Sequence, residues 1–147
     1  MNSMRRVVFD TSTLVGAALK PGSVPHQALM LALARYELCA SVQTWLELDQ
    51  VMQSDRFDRY LARAARSEFV ALLRTYKFFY PVTLEDELAL HPPCRDANDN
   101  KFLALAQVCQ ADVVVSSDDD LLVLHPWREV PVLKPADFLL RAGVGGT

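Results

Sequence analysis

Several shortages in the sequence each exclude a class of protein. Cysteine occurs three times, as Cys39, Cys94 and Cys109. The number is odd and the spacing suits no metal knuckle, so neither a disulfide scaffold nor a zinc ribbon is expected. Cys39 and Cys109 sit among apolar residues and read as small buried hydrophobes. Histidine also occurs three times (His26, His91, His125), scattered and without ligand spacing. Glycine is limited to five residues and makes no phosphate-cradling loop, which argues against an NTPase. No Ser/His/Asp or Cys/His set suited to nucleophilic catalysis is evident. No apolar run approaches the roughly 18 residues that a membrane span needs. Val7-Val8-Phe9 is too short for the hydrophobic region of a signal peptide, so a cytoplasmic protein is expected.

What is present is an ordinary globular composition. Hydrophobic residues make up 51% and charged residues 22% of 147, enough for one domain with one sizeable core, spanning about 6–140. There is no internal repeat or linker. The net charge of -3, taken as a total, argues against a nucleic-acid partner. If four carboxylates belong to a metal site, however, 14 acids face 15 Lys+Arg over the rest of the chain. Local basic patches are then compatible with the total.

The pattern along the chain alternates strand and helix. Residues 6–10 and 112–116 are continuous Val-rich runs, as expected of central strands covered on both faces. Further strands are expected at 37–41, 80–83 and 130–133, the last two containing prolines that belong at sheet edges. Helices are expected from 11 (capped by Thr11-Ser12-Thr13), at 26–35, 42–53, 57–66 with 67–77, 99–109 and 135–141. Residues 89–98 read as a loop and 143–147 as a frayed tail. This alternation predicts an α/β fold with a parallel sheet and helices on both faces.

In such sheets the site lies beyond the carboxyl ends of the strands, where the strand order reverses. Asp10 ends the first strand, and Ser116-Ser117-Asp118 ends the other central one. Each acid has an ordinary explanation when taken alone. Asp10 and Asp96 suit helix caps, Asp99 an acid in a first helical turn, Asp118 or Asp120 another cap, and Glu47 a solvent-facing helical position. Together they fall at one edge of one sheet. Carboxylates within about 5 Å repel by roughly 3 kcal/mol each at an effective dielectric near 20. Such a group needs protons, basic partners or a cation. All-oxygen ligation favours Mg²⁺ or Mn²⁺, and Mg²⁺ on carboxylates commonly serves phosphate chemistry.

Four segments carry a resemblance, in order and spacing: Val8-Phe9-Asp10-Thr11-Ser12; Leu46-Glu47-Leu48; Asp96-Ala97-Asn98-Asp99 with the helix through Ala106; and Val114 to Leu122 around Ser116-Ser117-Asp118. They resemble the PIN-domain nucleases, nearest to the VapC-like toxin components of bacterial toxin–antitoxin pairs. The resemblance implies a three-layer α/β/α sandwich with a five-stranded parallel sheet of order 3-2-1-4-5. It also implies endonucleolytic RNA cleavage with Mg²⁺ or Mn²⁺. It assigns Asp10, Glu47, Asp99 and Asp118 as catalytic metal-binding acids, with Asp120 and Asp96 in a second tier and Ser12 and Ser116 orienting them. Asn98 and Asn100 stand where further acids often occur, and Ser12 where Asn is frequent. A homodimer is implied, and an antitoxin partner that inserts a segment, through an Arg, into the acidic groove.

Arg56, Arg59, Arg63 and Arg66 are spaced three, four and three apart, which on a helix makes one basic stripe. Contact with RNA phosphates and a solvated, ion-paired face weigh evenly as explanations. Trp45 and Trp127 are expected in the core or at a partner contact. Three alternatives stand beside the ribonuclease reading. One is a structure-specific DNA nuclease, and another a non-catalytic RNA- or antitoxin-binding module. The third, an aspartyl-phosphate enzyme, lacks the second acid two residues after Asp10.

Overall fold

The computed structural model describes residues 4–141; the tail expected at 143–147 lies outside them. Five strands form one all-parallel sheet: β1 (Arg5–Phe9), β2 (Tyr36–Ala40), β3 (Lys77–Phe79), β4 (Val113–Val115) and β5 (Val132–Leu133), in the order β3-β2-β1-β4-β5. The order 3-2-1-4-5 and the α/β architecture agree with expectation. Val7 pairs with Leu38 on one side and Val113 on the other, and Phe9 pairs with Val115. The chain reverses its direction of winding between β1 and β4. The carboxyl ends of those strands flank the crevice.

Both faces of β1 and β4 are buried, and strand alternation divides their side chains between two cores. Val7, Phe9, Val113 and Val115 pack on one face against α1 (Thr11–Leu19), α2 (Val24–Arg35), α3 (Val42–Met52), α4 (Arg63–Tyr76) and α8 (Pro135–Leu139). Val8 and Val114 pack on the other against α6 (Asn100–Cys109) and α7 (Asp119–Leu122). This is why the two strands are continuous apolar runs rather than alternating ones. A short helix, α5 (Leu84–Leu88), precedes the loop that returns to α6.

That loop is tied down at its polar atoms. Trp127, only 2% exposed, donates its indole N–H to Pro92 O at 2.8 Å. Cys94 N donates to Asn100 Oδ1 at 2.8 Å. The segment carrying Asp96 and Asp99 is thereby fixed against α6 although it contains little regular structure. Cys39 and Cys109 are buried as expected, and Cys94 joins them.

Several local expectations needed correction, among them the fifth strand, which is Val132–Leu133 rather than 130–133, and the second helix, which begins at Val24 rather than 26. The third strand is Lys77–Phe79 rather than 80–83, because β3 pairs with β2 through Leu38–Lys77 and Ala40–Phe79. Only Tyr80 N continues the ladder, to Ala40 O at 2.8 Å, before Pro81 removes the next donor. Helix α5 was not foreseen; Thr83 and Asp86 cap it reciprocally. The cap of α1 is Asp10 itself, which accepts from Thr13 N, rather than the hydroxyls that follow. Finally, no helix spans 57–66. Asp55–Phe57 is a single 3₁₀ turn, and α4 begins only at Arg63.

Candidate active site

Asp10, Glu47, Asp99 and Asp118 line one cavity of about 400 Å³ at the carboxyl end of the sheet. Thr11, Val15, Val51, Phe57 and Phe102 give it partly apolar walls, and Arg56 stands in its lining. The sequence places each acid through a turn. Asp10 follows β1 and caps α1, Asp118 follows β4 and caps α7, and Asp99 directly precedes α6. Glu47 reaches the cavity from the middle of α3.

Asp10 is 3% exposed and well partnered. Its Oδ1 accepts from Thr13 N at 3.0 Å and from Ser12 Oγ at 3.5 Å. Its Oδ2 accepts from Ser116 Oγ. Ser116 Oγ in turn accepts from Asp118 N at 2.9 Å, so one buried hydroxyl couples two of the acids. Burial pushes the Asp10 carboxyl above its ordinary range, and its hydrogen bonds pull the other way.

Asp99 is the electrostatic centre of the group. Its pKa is pushed up to about 7, first by burial, then by a hydrogen bond shared with Asp118 and by the charges of Asp118, Asp96 and Asp10. Its Oδ2 is buried and has no hydrogen-bond partner. Such an atom is costly to leave unpaired, and the cost ends when a proton or cation arrives. Asp96, Asp99 and Asp120 bring ligand oxygens within 4.8 Å of one another, close enough to share a cation. Asp96 caps the turn below by accepting from Asn98 N at 3.0 Å. Asp120 accepts from Arg95 Nε at 2.8 Å.

Glu47 differs from the other three. Lys101 Nζ donates to its Oε2 at 2.8 Å, and Thr11 Oγ1 donates to its Oε1. In sequence Lys101 lies two residues beyond Asp99, and Thr11 reads only as part of a cap. Nothing in the sequence links either to Glu47, which is 54 and 36 residues away.

The arginine stripe does not exist. Arg56 lies in the 3₁₀ turn, Arg59 in the turn that follows, and only Arg63 and Arg66 in α4. Arg66 is 0% exposed. It donates to Ser54 O at 2.7 Å and pairs with Asp58, while Arg63 pairs with Asp55. For Arg63 and Arg66 this is the ion-paired alternative of the sequence reading, with Asp55 and Asp58 as the partners. Arg59 lies over Tyr60 at 5.0 Å, and Arg56 over Phe57 at 4.7 Å. Of the four, Arg56 alone lines the acidic cavity.

A family model described as PIN domain matches residues 6–120. No curated protein matches the chain. Among solved structures, the chain is similar to the PAE2754 protein of Pyrobaculum aerophilum (TM-score 0.63, 14% identity, 93% of this chain and 88% of that one). It is similar to VapBC2 of Rickettsia felis, solved bound to a DNA fragment from its promoter (TM-score 0.57, 13% identity, 88% and 97%). It is also similar to VapC20 of Mycobacterium tuberculosis, described as a sarcin-ricin loop cleaving toxin (TM-score 0.52, 18% identity, 78% and 92%). The matched span runs from the start of β1 through Asp120 and so contains every acid of the cavity; by that match the chain belongs to the PIN-domain family.

Proposed function

We propose that this chain is a divalent-metal-dependent endoribonuclease and the toxin of a toxin–antitoxin pair. The observation that carries the reading is the meeting of Asp10, Asp99 and Asp118 at one cavity, with a buried oxygen of Asp99 left without a partner. The donors are all oxygen, which suits Mg²⁺ or Mn²⁺. Membership of the PIN family and the VapC likeness support the nuclease and toxin readings.

Asp10, Asp99 and Asp118 would hold the ion, with Glu47 in the lining of the same cavity and the oxygens of Asp96 and Asp120 within 4.8 Å of Asp99. When bound, the ion lowers the pKa of a water and neutralises charge that develops on the phosphate. The chain supplies the rest. Ser116 and Ser12 hold the Asp10 carboxylate, and Ser116 also fixes the turn of Asp118. One carboxylate of the group would take the proton of an attacking water. Arg56 at the cavity suits a substrate phosphate, and Phe57 and Phe102 offer flat walls to a base. Arg59 and Arg63 are exposed enough to meet the RNA backbone; Arg66 is not.

The partners on this reading are RNA, an antitoxin that places an Arg in the acidic groove, and a second copy of the chain. The setting is cytoplasmic. Among the described residues no helix is long and apolar enough to cross a membrane. Cleavage of RNA, single-stranded DNA and flap DNA with Mn²⁺ tests the substrate class, and RNA is the expected one. Sequencing RNA ends after brief expression, with Asp10→Asn as control, would reveal the target. Preferential cleavage of flap DNA would favour the DNA-nuclease alternative. Folded protein without Mn²⁺ binding or cleavage would favour the non-catalytic one.

A further inference from the structure

We propose that Lys101 is a built-in cation on the Glu47 side of the cavity, so that the centre takes one divalent ion, on Asp10, Asp99 and Asp118, rather than two. The inference rests on the metal reading above and deepens it. It removes Glu47 from the ligand set and makes Lys101 a positioning residue.

The argument starts from the hydrogen bonds of Glu47. Both its oxygens are engaged, Oε2 by the Lys101 ammonium at 2.8 Å and Oε1 by the Thr11 hydroxyl. A carboxylate oxygen that accepts one hydrogen bond keeps a lone pair for a metal, as the engaged oxygens of Asp10 would. On Oε2 of Glu47, however, the donor carries the same sign of charge as the ion and repels it.

Lys101 is also held in place. Its ammonium donates a second time, to Asn98 O at 2.7 Å. The side chain is only 15% exposed, and the ammonium lies 5.7 Å from the centre of the Phe102 ring. A solvated surface lysine can swing aside at little cost, whereas this one has to give up two hydrogen bonds. The carbonyl it grips belongs to the residue before Asp99, so the same turn presents an acid to the ion and an ammonium to Glu47.

The other side of the cavity has the opposite balance. Among the described residues, no Lys or Arg pairs with Asp10, Asp99 or Asp118. Asp99 Oδ2 is buried with no partner. The unmet demand for positive charge is therefore local to the three aspartates. Paired ions in two-metal centres sit about 3.5–4 Å apart and share carboxylates. A second ion would need either Glu47, which already has its cation, or the Asp96 and Asp120 oxygens near Asp99, and Asp120 is already paired with Arg95 at 2.8 Å.

Mn²⁺ binding to the full chain, after removal of metal by chelation, tests this through the loss of the free-ion electron paramagnetic resonance signal. One Mn²⁺ per chain is expected for the wild type and for Lys101→Arg. Two are expected for Lys101→Met, the second more weakly held, and one again for Lys101→Met with Glu47→Gln. A lysine that served only the fold would leave the stoichiometry at one in every variant. Two ions in the wild type, or one in a folded Lys101→Met, would overturn the inference. No Mn²⁺ in the wild type would sink the metal reading itself. If Lys101→Met does not fold, Lys101→Gln carries the same test, with two ions expected and one ion overturning the inference.

Discussion

Asp99 holds a proton up to about pH 7 in the native state, because burial and three neighbouring aspartates oppose its charge. In the unfolded chain an aspartate loses that proton near pH 4. Between about pH 4 and pH 7 the native state binds more protons than the unfolded one, so this group lowers stability as pH rises through that window. The metal-free protein is therefore expected to melt at lower temperature at pH 8 than at pH 5. Asp99→Asn should remove much of that difference and raise the melting temperature at pH 8. Mn²⁺ should stabilise the wild type at pH 8 more than at pH 5, where protons compete for the same oxygens. Melting curves of both proteins at the two pH values, with and without Mn²⁺, check this. A wild-type curve that is insensitive to pH and Mn²⁺ would contradict it.

At the scale of elements, the link between Asp55–Phe57 and α4 depends on Arg66. Its guanidinium is fully buried, satisfies Ser54 O and pairs with Asp58. Arg66→Ala would leave a cavity and an unsatisfied carbonyl, and should cost about 3 kcal/mol in urea unfolding. Arg59→Ala should cost less than about 0.5 kcal/mol. Equal effects would mean that the packing around Arg66 is misassigned.

The same segment shows where sequence reasoning stopped. Spacings of three and four imply a stripe only if a helix is continuous, and here the 3₁₀ turn and the turn after it interrupt it, with Asp55 and Asp58 turned onto the arginines. The third strand moved three residues because pairing with β2, rather than the local composition of Tyr80-Pro81-Val82-Thr83, decides which residues join the sheet. By contrast β1 and β4 were legible at once, since burial on both faces writes itself as an unbroken apolar run. Asp10 and Asp118 were legible for a related reason, as acids ending those runs. Glu47 was legible only through the resemblance, because its surroundings are made by Lys101 and Thr11, distant in sequence.

At the scale of the whole molecule, one sheet covered on both faces leaves apolar surface unused. Val42 and Leu46 on α3, Tyr76 at the end of α4, and Phe78 and Phe79 on the edge strand β3 are all exposed. A second copy of the chain would cover such groups, and sedimentation velocity should then give about twice the 16.5 kDa of one chain. A monomer at every concentration would count against the homodimer. The acids at the opposite ends of sequence, Asp10 and Asp118, meet only because β1 and β4 are adjacent. The fold thus brings together a centre that no local segment contains.

The central claim is that these acids hold a divalent ion for cutting RNA. Cleavage of RNA by the wild type, Asp10→Asn and Asp99→Asn tests it most directly, with Mn²⁺ and with Mn²⁺ plus EDTA, each protein being confirmed folded by circular dichroism. Cleavage by the wild type should require Mn²⁺ and stop with EDTA. Each variant should fall by about a hundredfold or more, as expected when several kcal/mol of charge stabilisation is lost. Cleavage by folded Asp10→Asn and Asp99→Asn at the wild-type rate would contradict the account.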